Sequence, residues 1–269
     1  MKRCILTFYL LLSLVSTLEA QILNINYEGA SIPSRYNNKI EKTLLNELGF
    51  FGPLGLPDTV RVKFLAFKDR VAGETFLSQY DPQAIGNRYS GMFLPKIQTA
   101  VLISTENMDS GSRTICHEIC HFLYHKVMDS TPGRAYSSAY GLNEGLACFF
   151  ETFEVKKNGS VHQVPNRTYI NSVKTLIEIE EFNLDEYLNM NGRQFKSLSL
   201  YNGSVAYHGS YVIVATLFEH LGIDRMRELL ATIRSGVTYE QAVEQIYPGG
   251  KSALMEGIRE FVMKGSSKR

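Results

Sequence analysis

Apolar and polar residues alternate with period two over ILNINY (22–27) and TVRVKFLAF (59–67). In the second run Val60, Val62 and Phe64 fall on one side and Arg61 and Lys63 on the other, which predicts half-buried strands. Between the two, residues 34–48 place Ile40, Leu44 and Leu48 on one helical stripe, with Gly49 and the turn-rich FGPLGLPD as the stop. A short helix is expected near 69–80. RYSGMFL and TAVLIST then read as two strands parted by Pro95-Lys96, and the polar ENMDSGS leads into a further helix. Beyond residue 165 the spacing is helical only: Tyr207, Tyr211, Val214, Ala215 and Phe218 form one stripe, and Met226, Leu229, Leu230 and Ile233 another. The pattern predicts an α+β part over 21–155 followed by an all-α part over 156–269.

A chain of 269 residues with 44% apolar content can bury a sizeable core as one large domain or two packed subdomains. Its start is organised differently. Met1-Lys2-Arg3 precedes an apolar run from Cys4 to Leu18 and then Glu19-Ala20-Gln21, the layout of a signal peptide over residues 1–20, cut after Ala20. The run falls short of the roughly 20 residues a spanning helix needs, so the expectation is an exported, secreted or periplasmic protein with no membrane part after cleavage. Without Lys2, Arg3 and Glu19 the remaining chain is formally neutral, which offers no field for nucleic acid or an anionic surface. The three cysteines left, Cys116, Cys120 and Cys148, crowd together rather than spreading as a framework would. Buried thiols are expected, with a Cys120–Cys148 bridge as the alternative if the two helices pack. Asn158, Asn166 and Asn202 head sequons that matter only in a eukaryotic source.

The chemistry concentrates in ICHEICHFLYH, residues 115–125. On a helix His117 and His121 lie one above the other and can point two imidazoles at one ion, while Glu118 sits about 100° round, beside the open coordination position. His125 is eight residues from His117, roughly 12 Å along the axis, and cannot share that ion. A metzincin extension is absent, since Tyr124 and Val127 occupy the positions of its glycine and last histidine. A catalytic zinc needs a third protein ligand. GLNEGLACFFE (141–151) supplies Glu144 near the start of an apolar helical pattern, 23 residues after His121, which leaves room for a loop between the helices. The expected constellation is one Zn2+ held by His117, His121 and Glu144, with Glu118 as general base toward a zinc-activated water.

HEICH followed by LNEGLACFFE resembles the gluzincin zinc metallopeptidases, in particular the small peptidase-MA-like proteins related to thermolysin and the zinc aminopeptidases. The likeness extends to SGMFL, to YHGSYVIVATLFEHLG (207–222) and to MRELLATIRSGVTYEQAVEQIY. It implies a thermolysin-like zincin subdomain, a small mixed sheet with the active-site helices, followed by the helical subdomain. It also implies peptide or protein substrates and an edge strand that pairs with the substrate backbone. Members of the group often stabilise the oxyanion with a tyrosine or histidine from the helical part, which points to Tyr207 or His208; Tyr201 and Tyr211 are weaker candidates. Two departures stand out. Thermolysin relatives carry an aspartate four residues after the glutamate ligand to orient a zinc-bound histidine, and here that position is Cys148, so another group must serve; Glu151 is a candidate. SGMFLP lacks the acid with which zinc aminopeptidases bind a free amine, which argues against that specificity. The competing expectation is a non-catalytic zinc-binding scaffold or interaction protein of the same fold, against which the presence of Glu118 speaks, because a structural zinc has no use for a base.

Overall fold

The computed structural model describes residues 22–82, 89–128, 139–201 and 204–267. The signal-peptide segment and Asn202 lie outside them. The chain divides into two compact units, one running to Val127 and taking back Glu154–Val161, the other comprising Met128–Phe153 and everything from His162 onward.

In the first unit β1 (Ile22–Gly29), β2 (Thr59–Ala66), β3 (Gly91–Leu94) and β4 (Thr99–Leu102) form one sheet in the order β1-β2-β4-β3. The β1–β2 and β2–β4 pairs are parallel; β3 runs antiparallel to β4, with Gly91 opposite Leu102 and Leu94 opposite Thr99. Period-two side-chain alternation gives the sheet two apolar faces. On one, Leu65, Met92 and Val101 pack with Phe76 and Leu77 of α2 (Arg70–Leu77), whose N-terminus is capped by Asp69. The other presents Gly91 and Phe93 to α3 (Met108–Met128), where the Phe93 ring meets Phe122 at 5.8 Å and His125 at 5.3 Å. Asn107 starts α3 by accepting the Ser110 amide on its Oδ1.

The helix expected over 34–48 is a single 3-10 turn, Ser34–Tyr36, followed by α1, Asn37–Phe51. Gly49 does not stop it. That glycine is exposed with nothing near its absent Cβ, and the next two residues, Phe50 and Phe51, are fully buried and in edge contact at 4.9 Å. Burial of two aromatic rings outweighs the roughly 1 kcal/mol a helical glycine costs. Termination comes at Gly52-Pro53 and the left-handed Gly55.

The second unit is built on α8 (Val205–Arg234), which Gly222 breaks with φ 73° into two helical segments. Packed on α8 are α4 (Tyr140–Phe150), α5 (Arg167–Glu178), α7 (Gly192–Tyr201), α9 (Tyr239–Ile246) and α10 (Gly250–Ser267), and α6 (Leu184–Asn189) contacts α4 and α9. α4 is buried from Gly141 to Phe150. It approaches α8 closely because Gly145 has no side chain: a Cβ there would lie 2.4 Å from the Ser210 carbonyl oxygen and 2.6 Å from Val214. A phenylalanine group (Phe149, Phe150, Phe153, Phe218) closes one end, with Phe149 stacked on Phe218 at 4.3 Å. Lys251 ties α10 to Asp185 of α6 and Glu240 of α9. A hairpin of two three-residue strands, β5 (Phe153–Val155) and β6 (Val161–Gln163), turns through Asn158-Gly159. Asn158 accepts the Ser160 amide and hydroxyl, and Asn166 caps α5. No helix among the described residues is long and apolar enough to cross a membrane.

One group in the first core is out of place by composition. Glu47 is fully buried on α1 between Leu44 and Leu48, and neither carboxylate oxygen meets a hydrogen-bond donor among the described residues. Burial pushes its pKa well above the usual glutamate range, with the charge of His117 pulling the other way.

Two consequences for stability are measurable. Gly145→Ala should cost about 1–3 kcal/mol, because the new methyl meets backbone rather than a side chain able to turn away; equal melting temperatures for the two proteins would show that α4 and α8 can separate freely. Glu47→Met should stabilise the metal-free protein by about 1–3 kcal/mol, since a buried carboxyl with no hydrogen-bond donor among the described residues gives way to an apolar group of similar length. The sign with pH follows from the raised pKa. The carboxyl's contribution is intact in acid and is lost as pH climbs from the ordinary glutamate value toward the folded one, so the gain from Met grows over that window. Denaturant unfolding at several pH values reads it, and a destabilised Met variant would contradict the assignment.

Candidate functional site

α3 carries its chemistry through the interior. From Thr114 to Met128 every residue but His117 and Lys126 is buried. His117 and His121 fall one turn apart, as the four-residue spacing requires, with ring centroids 4.7 Å apart and planes nearly perpendicular. Glu118, next along the helix from His117, is only 6% exposed. The pair and the carboxylate are a donor set suited to a zinc-type ion: two imidazoles four residues apart on one helix, with an acid beside them.

Around the motif the first unit supplies β3 and Glu47 as neighbours, and α3 itself supplies His125. β3 passes directly over Thr114 and Glu118, and a Cβ on Gly91 would stand 2.4 Å from the Thr114 methyl and 2.9 Å from the Glu118 Cγ. His125, one turn beyond His121, is buried against Phe93 and belongs to the core. Glu47 is an acid whose electrostatic partner is His117. Sequence reasoning missed Glu47, although a signal existed: it occupies a core position of the α1 stripe, where a glutamate is out of place.

In the second unit Glu144 is the fifth residue of α4, buried at 5% exposure and flanked by Asn143 and Gly145. A carboxylate at such a position is costly unless it has polar or metal partners. One turn on, Cys148 is buried; with Cys116 and Cys120 it is a thiol outside any disulfide. Glu151 sits at the C-cap of α4, half-buried.

The residues expected to face an oxyanion occupy the first turn of α8. Tyr207 is half-buried with its ring on edge to Phe195 at 4.8 Å. His208 stacks on Tyr169 at 4.3 Å, burial holds its pKa below the usual histidine value, and its Nδ1 has no hydrogen-bond partner among the described residues. Gly209 lets the Tyr187 ring lie against the helix, where a Cβ would meet it at 2.2 Å, and Tyr187 donates its hydroxyl proton to the Val205 carbonyl. That contact anchors the turn bearing Tyr207 and His208. Tyr211 has a structural task, because its hydroxyl accepts from Gln163 Nε2 at 2.8 Å and from the Asn166 amide at 2.9 Å, joining α8 to the segment before α5.

Comparison with known proteins gives the family. No curated protein matches the chain. A model of the peptidase MA superfamily matches residues 90–264, from the strand over Glu118 through both histidines, Glu144 and the helices of the second unit. With nearly two thirds of its length in that match, the chain belongs to the peptidase MA superfamily.

Proposed function

We propose that the protein is an exported zinc metallopeptidase in which His117, His121 and Glu144 hold one Zn2+ and Glu118 is the general base. The observation that carries this reading is the seat of Glu118: a buried carboxylate beside two stacked-turn imidazoles, in a chain of a peptidase superfamily. Membership implies a metal and peptide or protein substrates. The buried Glu144 on an otherwise apolar helix supports its place as third ligand, and the layout of residues 1–20 supports export.

When bound, zinc would supply a nucleophilic water at neutral pH and polarise the scissile carbonyl. The protein's own groups do the rest. Glu118 takes a proton from the attacking water and returns it to the departing nitrogen; its near-complete burial strengthens both transfers by keeping bulk water away. His208, whose pKa burial lowers, has a ring N–H to offer the developing oxyanion, and the half-buried hydroxyl of Tyr207 is the other candidate donor. Among the described residues β3 is the outermost strand of the sheet, a position suited to pairing with an extended segment.

Metal content of the purified chain and cleavage of a quenched peptide, with and without a chelator, form the primary test. Chelation should abolish hydrolysis and added zinc should restore it. Glu118→Gln should keep its zinc and lose on the order of 10²–10⁴ in turnover, because the amide preserves shape without basicity. Wild-type turnover in that variant would leave the protein a zinc-binding scaffold. Glu144→Ala should fold yet release zinc at chelator concentrations the parent resists, since two imidazoles alone hold the ion poorly; undiminished retention would place the third ligand elsewhere.

A further inference from the structure

We infer that Gly91 is a positioning residue for Glu118: the bare backbone of β3 is the wall that sets where the base's side chain stands. The inference rests on the functional reading above for what Glu118 does, and on contacts within the first unit for how it is held.

Gly91 opens β3, paired with Leu102 of β4, and faces α3. Three atoms crowd the space its Cβ would take. The Val101 carbonyl oxygen, at 2.7 Å, is backbone of the neighbouring strand and cannot turn aside. The Thr114 methyl, at 2.4 Å, is fixed as well, because its Oγ1 donates back to the Ser110 carbonyl at 3.3 Å and rotating the methyl away breaks that bond. The third is the Glu118 Cγ, at 2.9 Å, which belongs to the longest side chain of the three. Of the three, Glu118 yields most easily. A methyl at position 91 therefore displaces the carboxylate or lifts the strand from the helix. With glycine there, strand backbone stands on one side of the Glu118 Cγ and limits the rotamers open to it, on the turn of α3 that also carries His117. A displacement of about 1 Å is enough to cost a general base on the order of 10²-fold in rate.

φ at Gly91 is not in the left-handed region, so the glycine is not there to permit a turn. Its missing side chain, rather than backbone freedom, is what the contact requires. Leu65, on β2 and on the sheet face turned toward α2, serves as the control.

The experiment uses the zinc-loaded full chain. Gly91→Ala is expected to keep its zinc, hold KM within about threefold and lose at least about tenfold in kcat, while Leu65→Ala stays close to the parent in kcat. A second readout needs no activity. In a double-mutant cycle on thermal unfolding, the melting-temperature loss from Gly91→Ala should be smaller by at least about 2 °C when Glu118 is already Ala, because the atom it strikes is gone. Should Gly91→Ala fail to accumulate, Gly91→Ala/Thr114→Ala, which removes the nearest methyl and leaves the Glu118 contact, is read in the same way against Thr114→Ala. Unchanged kcat, or strictly additive melting temperatures, overturns the inference while leaving the metallopeptidase reading in place. A parent chain that shows no zinc-dependent hydrolysis overturns both.

Discussion

A helix that must carry two imidazoles and a carboxylate through a hydrophobic interior is the constraint on which the rest of this structure turns. Leaving those groups unpaired would cost several kcal/mol each, so the fold has to provide either polar partners or an ion. Sheet and helix divide the task. β4 and β3 bury the apolar sides of α3 through Leu102 and Phe93, and Glu118 lies where the strand that passes over it carries no side chain. Packing and chemistry thus use alternate positions of the same two elements, as side-chain alternation on a strand and the four-residue repeat of a helix allow.

The second unit meets the corresponding demand by close backbone approach. Gly141 and Gly145 on α4, set against Tyr187 and Ser210, remove the side chains that would hold the Glu144 helix away from α8. Gly209 does the same for Tyr187. These are rigid contacts between backbone and ring or backbone and carbonyl. They fix the height and rotation of α4 and of the first turn of α8 more tightly than interdigitated flexible chains would. A buried ionisable residue placed on such an element loses little further entropy on meeting its partners.

How much of this could be read in the sequence depended on the range of each signal. The His117–Glu118–His121 spacing is a local property of one helix, so its geometry was legible at once. The strands around Val60–Phe64 and the stripe of Tyr211, Val214 and Ala215 were also legible, because burial of one face writes a period into the chain. The β5–β6 hairpin was not: three residues a strand are too few to show alternation, although Asn158-Gly159 marked its turn. The extension of α1 past Gly49 was hidden because a glycine reads as a stop, and only the burial of Phe50 and Phe51 overrides it. Glu47 left a trace, an acid at a core position of the α1 stripe, but its surroundings are tertiary and write no local period. Gly91 left none, because its role is defined by atoms it does not possess.

The edge position of β3 carries a risk that its dimensions contain. An exposed strand edge invites pairing with the same edge of another copy, the route by which sheet proteins aggregate. Among the described residues the outermost strand spans only Gly91–Leu94, roughly 13 Å, and Pro95 ends it by withholding an amide and turning the chain into a 3-10 turn. Four residues recruit too few ladder bonds to hold two copies together against the entropy of association. The brevity of β3 thus limits what this edge could seed between copies.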